Sequence, residues 1–394
     1  MNIKSLLKGY DLQNLTVGVL GGHSALDVCH GAKMNGFSTV VVARRGREKT
    51  FTKHFRARVR GRGREEIGCV DHVILVDQFQ DVLRKDMQKK LRKMNTIFVH
   101  NRYFWVYFDD FTKVENDFSV PIFGSRSLLR LEERNQPYNQ YHLLRDAGIR
   151  TPKIFTDPSQ IDRPVIVKAA EAQRGYERAF FVATSQKNYE TTGMKLESDG
   201  QVTLNWRAAP IEEFIVGAHV NFNFFYSPLT KRLELLGTDA RRQTNLDGWL
   251  RMTAAEQTSV GKQIPVKRIE TGHIAVTVKE SLLEKAFDLG EKFVKATQKL
   301  PKKIDPSGPT SPSGLRGAGK GIIGPFALQG AVVAEDGKED IVIFDVSFRI
   351  PGSPGVSATP YSGYLYGQSM SVGERIGVEL RSAIEEVRLD EVVT

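Results

Sequence analysis

Lys168 closes the apolar run PVIVK at 164–168, where an ammonium is costly to bury unless an anion meets it. A nucleotide phosphate would be such an anion; the plainer reading is a lysine that reaches water as a strand ends. Gln329 and Asp345 sit inside two further apolar runs, PFALQG (325–330) and IVIFDVS (341–347). A carboxylate in such a run must be paired, protonated or bound to a cation. Oxygen donors on neighbouring strands suit Mg²⁺, which takes one or two protein carboxylates and completes its shell with water and phosphate oxygens. Ser347, Arg349 and the turn PGSPG follow at once, near enough in sequence to approach a phosphoryl group there.

The turn VLGGHS (19–24) offers a second phosphate-handling chemistry. Two glycines after a strand allow a tight turn, and Ser24 with Asp27 has the S-x-x-D spacing of a capping box. A helix opening there would aim free N–H groups at an anion. Such turns are common, so His23 is either a ligand-binding imidazole or a turn residue. Glu212 and Glu213 head the segment IEEFIVG (211–217), where acids accept hydrogen bonds from a ribose or an adenine amino group, or simply face solvent. The chain has no G-x-x-x-x-G-K-[ST], no full G-x-G-x-x-G and no Ser–His–Asp arrangement, which disfavours P-loop enzymes and nucleophilic hydrolases.

The elements that must hold these groups follow from periodicity. Short β-branched runs at 15–20, 37–43, 72–76 and 96–100, with a helical stretch at 81–93 between, predict a doubly wound α/β parallel sheet. Ligands in such sheets sit at the carboxyl ends of the strands. A boundary falls near Pro121, and residues 127–153 read as helical up to Gly148 and Pro152. Strands are expected at 211–217, 220–227, 232–239, 273–279, 325–334 and 341–350, and helices at 281–300 and 371–389. The stretch 302–320, rich in Pro, Ser and Gly, is expected to be a mobile loop.

Composition narrows the class. With 394 residues, 40% apolar and 26% charged, the chain can form two or three packed units. No apolar run approaches the roughly 18–20 residues that span a bilayer, and the first residues lack a signal-peptide pattern. Only two cysteines, Cys29 and Cys69, point to a reduced, cytoplasmic protein without zinc-ligand spacing. The net charge of +10 is concentrated: residues 44–64 carry ten Lys/Arg against the single acid Glu48. That run would suit phosphates, RNA or acidic chains, or form a solvated loop.

Many unrelated segments then agree in order with one family: residues 20–48, 114–134, 143–153, 165–168, 211–217, 321–329 and 344–355. Over nearly its whole length the chain resembles the archaeal formate-dependent FAICAR synthetase (PurP) family. The resemblance implies an ATP-grasp fold behind an N-terminal Rossmann-like domain, with units at 1–125, 126–215 (a lid with its linker helix) and 216–394 (catalytic). It implies a homo-oligomeric ligase of IMP biosynthesis that uses ATP, Mg²⁺ (or Mn²⁺) and formate to formylate AICAR ribotide through formyl phosphate. It further implies that Lys168 and the segment Glu212, Glu213, Phe214 and Ile215 bind ATP, that Gln329 and Asp345 hold the metal, and that His23 binds the acceptor nucleotide. Lys168 and Arg349 would carry the phosphoryl chemistry.

This sequence departs from the family pattern at several positions. Arg102, in His100-Asn101-Arg102, stands where a substrate-contacting serine is expected; His273 stands for a substrate-binding asparagine, and Gln243 for an ATP-binding glutamate. The glycine-rich loop after Lys168 keeps only Gly175 in residues 171–180. Two alternatives follow. One is an ATP-grasp ligase joining another small carboxylate to another phosphorylated amine; the other is a non-catalytic nucleotide- or RNA-binding protein on a ligase scaffold.

Overall fold

In the computed structural model, residues 3–60, 65–108, 110–134, 136–169, 180–261, 263, 264, 266, 268–300 and 320–394 are described. The expected glycine-poor loop after Lys168, most of the Pro/Ser/Gly-rich stretch 302–320, and residues 61–64 of the basic run lie outside them.

The β-branched runs of the first third extend as strands because their side chains can be buried on both faces once helices cover the sheet. They are β1 (Thr16–Leu20) and β2 (Ser38–Arg44), a small antiparallel hairpin of β3 (Arg58–Arg60) and β4 (Glu65–Ile67), then β5 (His72–Val76), β6 (Thr96–Val99) and β7 (Ile122–Phe123). The sheet runs β5-β2-β1-β6-β7, all parallel, with Val19 beside Val41 and Val17 beside Ile97. The β7 edge is closed from far along the chain. Ile122 and Thr394 exchange backbone hydrogen bonds of 3.0 and 2.8 Å, and Gly124 N–H donates to the Val392 carbonyl at 3.0 Å.

The second sheet, of order β10-β9-β11-β8, is antiparallel: β8 (Ile154–Phe155), β9 (Val165–Lys168), β10 (Phe180–Ala183) and β11 (Ile211–Glu213). Helix Gln186–Ser198 covers it over a core that includes Phe181, Tyr189 and Trp206. The third sheet, also antiparallel, runs β14-β13-β12-β15-β16 and holds β12 (Ala218–Ser227), β13 (Arg232–Asn245), β14 (Arg268–Ala275), β15 (Gly324–Glu335) and β16 (Lys338–Ser347). Helix Leu283–Lys299 packs Phe293 against Phe326 and Phe348 on it.

Helix Val372–Glu385 lies on helix Ala25–Met34 of the first layer, and glycines allow it. A Cβ on Gly31 would stand 2.0 Å from the Gly373 carbonyl carbon, and one on Gly373 would stand 2.0 Å from the Asp27 oxygen. Val372, Ile376, Leu380 and Ala383 thereby share one core with Val17, Val28 and Ile97. On its other side the helix buries Arg375 between Glu234 (2.7 Å) and Glu379 (2.9 Å).

Two local expectations fail. Residues 127–153 are not one helix. A 3₁₀ segment, Arg126–Glu132, precedes a helix at Gln140–Asp146, and Asn139 caps the helix by accepting from Tyr141 N–H. The break follows from Arg126 and Arg130, which turn inward: Arg126 donates to main-chain oxygens of Val114 and Val120, and Arg130 forks onto Glu115 at 2.8 Å. Nor do Ser24 and Asp27 form a capping box. Ser24 takes a left-handed conformation (φ 64°) and donates instead to the Pro351 carbonyl at 2.6 Å, while Asp27 accepts from Gly373 N–H at 3.0 Å. Both side chains bind the C-terminal part of the chain instead of the helix they were expected to cap.

Candidate functional site

Lys168 ends β9 beside β11, so its side chain lies next to that of Glu212, and the two pair at 2.7 Å in near-complete burial. The anionic partner that burial demands is thus supplied by the protein itself. The ammonium also donates to the Phe344 carbonyl of β16 at 3.1 Å and lies 5.6 Å from the centre of the Tyr141 ring. Burial lowers the Lys168 pKa, the Glu212 charge opposes that, and neighbouring Arg134 adds to the lowering. Tyr141 donates to the other Glu212 oxygen, receives Arg134 Nε–H at 2.9 Å, and has its hydroxyl pKa pushed well up by burial. Arg134 then reaches Asp345 at 3.1 Å. Lys168, Glu212, Tyr141, Arg134 and Asp345 form one continuous network across four sequence regions. Glu213 faces outward to Arg163 at 3.1 Å. Phe214 and Ile215, half-buried, lead from β11 to β12.

Gln329 on β15 and Asp345 on β16 are direct cross-strand partners, with a bulge following Gln329. The Gln329 amide donates to Ser347 Oγ at 2.9 Å, and its oxygen accepts from Arg241 of β13. One carboxamide and one carboxylate oxygen side by side fit Mg²⁺, whose other positions would be filled by water and phosphate. Among the described residues no group of three or more His, Cys, Asp or Glu could hold a metal, so the protein does not form a cage by itself.

A second cluster adjoins this one, with Arg241 of β13 pairing both with Gln329 of the first and with Glu270 of the second. His23 follows β1 and Arg102 follows β6, both at carboxyl ends of the parallel sheet as its topology requires. Asn101, fully buried, fixes the turn: its amide donates to the Leu20 (2.9 Å) and His23 (3.0 Å) carbonyls. The His23 ring packs on Gly352, where a Cβ would stand 2.7 Å from Nδ1, so only glycine fits. Packing lowers the His23 pKa; Glu270 opposes this, and Arg102 and Arg349 reinforce it. Burial also lowers the Arg102 pKa, with Arg349 adding and Glu270 opposing. Arg349 Nε stands 3.5 Å from Glu132, itself buried and raised in pKa by that burial. Glu132 also accepts from Phe348 N–H at 2.8 Å and feels both Arg102 and Asp345, so it sits between the two clusters.

His273 on β14 is enclosed. Its Nδ1 meets Asp239, with Ser353 Oγ at 3.1 Å, and its Nε2 meets Glu270 at 3.0 Å. Burial would lower its pKa, but the two carboxylates raise it to about 9. Asp239 is locked in turn by Asn221 (2.8 Å) and Asn223 (2.6 Å). Gln243, half-buried, pairs in register with Glu270. Tyr141, Arg134, Glu132, Arg241, Asp239 and Glu270 were not singled out from the sequence. Charged residues inside the apolar stretch SLLRLEER (127–134) were a signal for the first of these regions; Arg241 and Glu270 carried none.

Comparison with known proteins bears on the family and the fold. Family models described as a protein of unknown function (DUF1246) and a domain of unknown function (DUF1297) match residues 17–155 and residues 188–311 and 313–394. The chain is 34% identical over 393 residues to the 5-formaminoimidazole-4-carboxamide-1-(beta)-D-ribofuranosyl 5'-monophosphate synthetase of Methanopyrus kandleri, covering 100% of this chain and 98% of that one. It is 35% identical over 395 residues to the protein of the same name from Methanothermobacter thermautotrophicus, with the same coverage. Among solved structures, an IMP biosynthesis protein PurP from Thermococcus kodakaraensis superposes with a TM-score of 0.65 at 26% identity, covering 96% of this chain and all of that one. An N5-carboxyaminoimidazole synthase from Aspergillus clavatus, complexed with ADP and aminoimidazole ribonucleotide, shares the fold at a TM-score of 0.53 and 15% identity, covering 88% and 73%.

Proposed function

The chain belongs to the 5-formaminoimidazole-4-carboxamide ribonucleotide synthetase family, and from that premise we propose that it formylates AICAR ribotide with formate and ATP, releasing ADP and phosphate. Its fold is that of the ATP-grasp ligases. The observation that carries the proposal is full-length likeness to relatives named for this one product. The site supports it: a lysine network that can receive a nucleotide stands opposite a cation-rich turn that can receive a phosphorylated acceptor.

In this reading ATP lies between the second and third sheets. Lys168 turns from Glu212 towards the phosphates, and Glu212–Ile215 line the adenine and ribose, with Gln243 reaching in from β13. Gln329 and Asp345 would hold Mg²⁺, which neutralises charge on the phosphate oxygens as phosphoryl transfer proceeds. A formate oxygen attacks the γ-phosphorus and the bond to ADP breaks. Arg349, fixed by Glu132, offers its guanidinium to the charge that develops. The amine of the acceptor, held at His23 and Arg102, then attacks the formyl carbon; the carbon–oxygen bond to phosphate breaks and the nitrogen sheds one proton. Holding both reactants in a closed cleft favours this transfer over hydrolysis.

Cytoplasmic location, homo-oligomeric assembly and the division into units 1–125, 126–215 and 216–394 belong to the same proposal. The test is ADP release with Mg²⁺ and ATP, formate and AICAR ribotide each present or omitted. Turnover that requires both substrates is expected. ATP-dependent turnover with another amine, and none with AICAR ribotide, would overturn the assignment of the acceptor.

A further inference from the structure

Two residues three apart on a regular strand point to opposite faces. Glu270 and His273 nevertheless meet, because β14 carries an extra residue: Arg242 pairs with Gly272 and Gln243 with Glu270, leaving Thr271 unmatched in a bulge. The bulge turns Glu270 onto the His273 face, where Nε2 takes one of its oxygens at 3.0 Å and Arg241 Nε takes the other at 3.2 Å. The remaining ring nitrogen of His273 is held by Asp239, which Asn221 and Asn223 anchor in the sheet. A ring with both nitrogens engaged by carboxylates has no hydrogen-bonding atom left for a substrate.

Resting on the reading of the site as an AICAR-ribotide site, we propose that Glu270 is the acceptor-contacting residue and that His273 is the positioning residue that presents it. Glu270, flanked by His273 and Arg241, presents carboxylate oxygens that take hydrogen bonds from amine or hydroxyl hydrogens of the ligand. Its charge acts on both His23 and Arg102, the two groups that face it from the parallel sheet. Asp239, Glu270 and Ser353 surround the imidazole, with Arg241, Arg349, Arg102 and His23 as the cations and titratable groups around the cleft. A positively charged His273 is opposed by burial and favoured, more strongly, by its own pair of acids. Its loss of a proton near pH 9 releases Glu270.

Calorimetric binding of AICAR ribotide, without ATP or formate, tests this directly, alongside steady-state constants. Glu270→Gln should weaken ribotide binding about 10- to 100-fold and raise its KM while the KM for ATP stays put. Wild-type affinity should fall as pH passes about 9. In His273→Gln, which keeps a donor but no titrating ring, affinity should be weak and level across that range. Wild-type binding in Glu270→Gln, or a pH-dependent fall that persists in His273→Gln, would overturn the proposal. Failure of the unaltered protein to bind AICAR ribotide would instead overturn the functional reading on which it rests.

Discussion

The two clusters proposed to hold the nucleotide and the acceptor solve opposite electrostatic problems. On the nucleotide side, Lys168, Glu212, Tyr141, Arg134 and Asp345 neutralise one another, and the Lys168–Glu212 pair is almost wholly buried. On the proposed acceptor side, Arg102 makes no salt bridge or side-chain hydrogen bond among the described residues; burial, Arg349 and Arg241 disfavour its cation, with Glu270 and Glu132 opposing. A buried pair stripped of one member leaves an uncompensated charge, whereas removing a buried cation that holds no direct ion pair strips no partner of its charge. The proposed nucleotide side should therefore combine function with stability, and Arg102 on the other side should carry function alone.

The largest effect expected on this contrast is at the metal position. Asp345→Asn should reduce Mg²⁺-dependent ATP turnover on the order of 10³-fold, while circular dichroism shows the fold retained; undiminished turnover would remove Asp345 from the metal site. Next comes Lys168→Met, which leaves Glu212 buried without the ammonium paired to it and should cost about 3–5 kcal/mol in urea unfolding. The double change with Glu212→Gln should recover most of that stability without recovering activity. A Lys168→Met protein as stable as the parent would break the comparison.

Arg102→Ser should raise the KM for the ribotide about 10- to 100-fold, the loss of a charge-assisted contact, with no fall in unfolding midpoint. A large destabilisation would mean Arg102 is structural after all. The smallest effect is on pH dependence. His273 is raised from 6.5 to about 9 in the folded protein, so the stability it contributes is complete below 6.5 and is lost as pH rises through about 9. Urea midpoints should decline across that window in the parent and stay flatter in His273→Gln.

Much of this was legible in the chain. Apolar β-branched runs located β1, β2, β5 and β6 to within a residue or so, because double-sided burial leaves an uninterrupted apolar signature. Gln329 and Asp345 stood out because a polar group in such a run must have a partner. The 127–153 segment misled because Arg126 and Arg130 look like a helix's polar face until their partners outside the segment, Thr394 and Glu115, are known. Ser24 misled for the same reason: its true acceptor, Pro351, lies 327 residues away. Periodicity reports on neighbours a few residues apart, and these contacts lie far beyond that range. The roles of Arg134, Arg241 and Glu270 likewise arise only when the third sheet closes over the first two.

The pairing of Thr394 with Ile122 and Gly124 has a consequence in time. The parallel sheet leaves the ribosome some 270 residues before the segment that closes its edge. At about 5–20 residues per second, that edge waits on the order of tens of seconds with its hydrogen-bonding groups exposed. During synthesis β7 is thus an open strand, available to other chains, and a nascent protein stalled short of residue 390 would keep it open. The helix Val372–Glu385, which fills the groove of Ala25–Met34, is made in the same late stretch, so the parallel sheet is completed only after the strands of the other two sheets have been made.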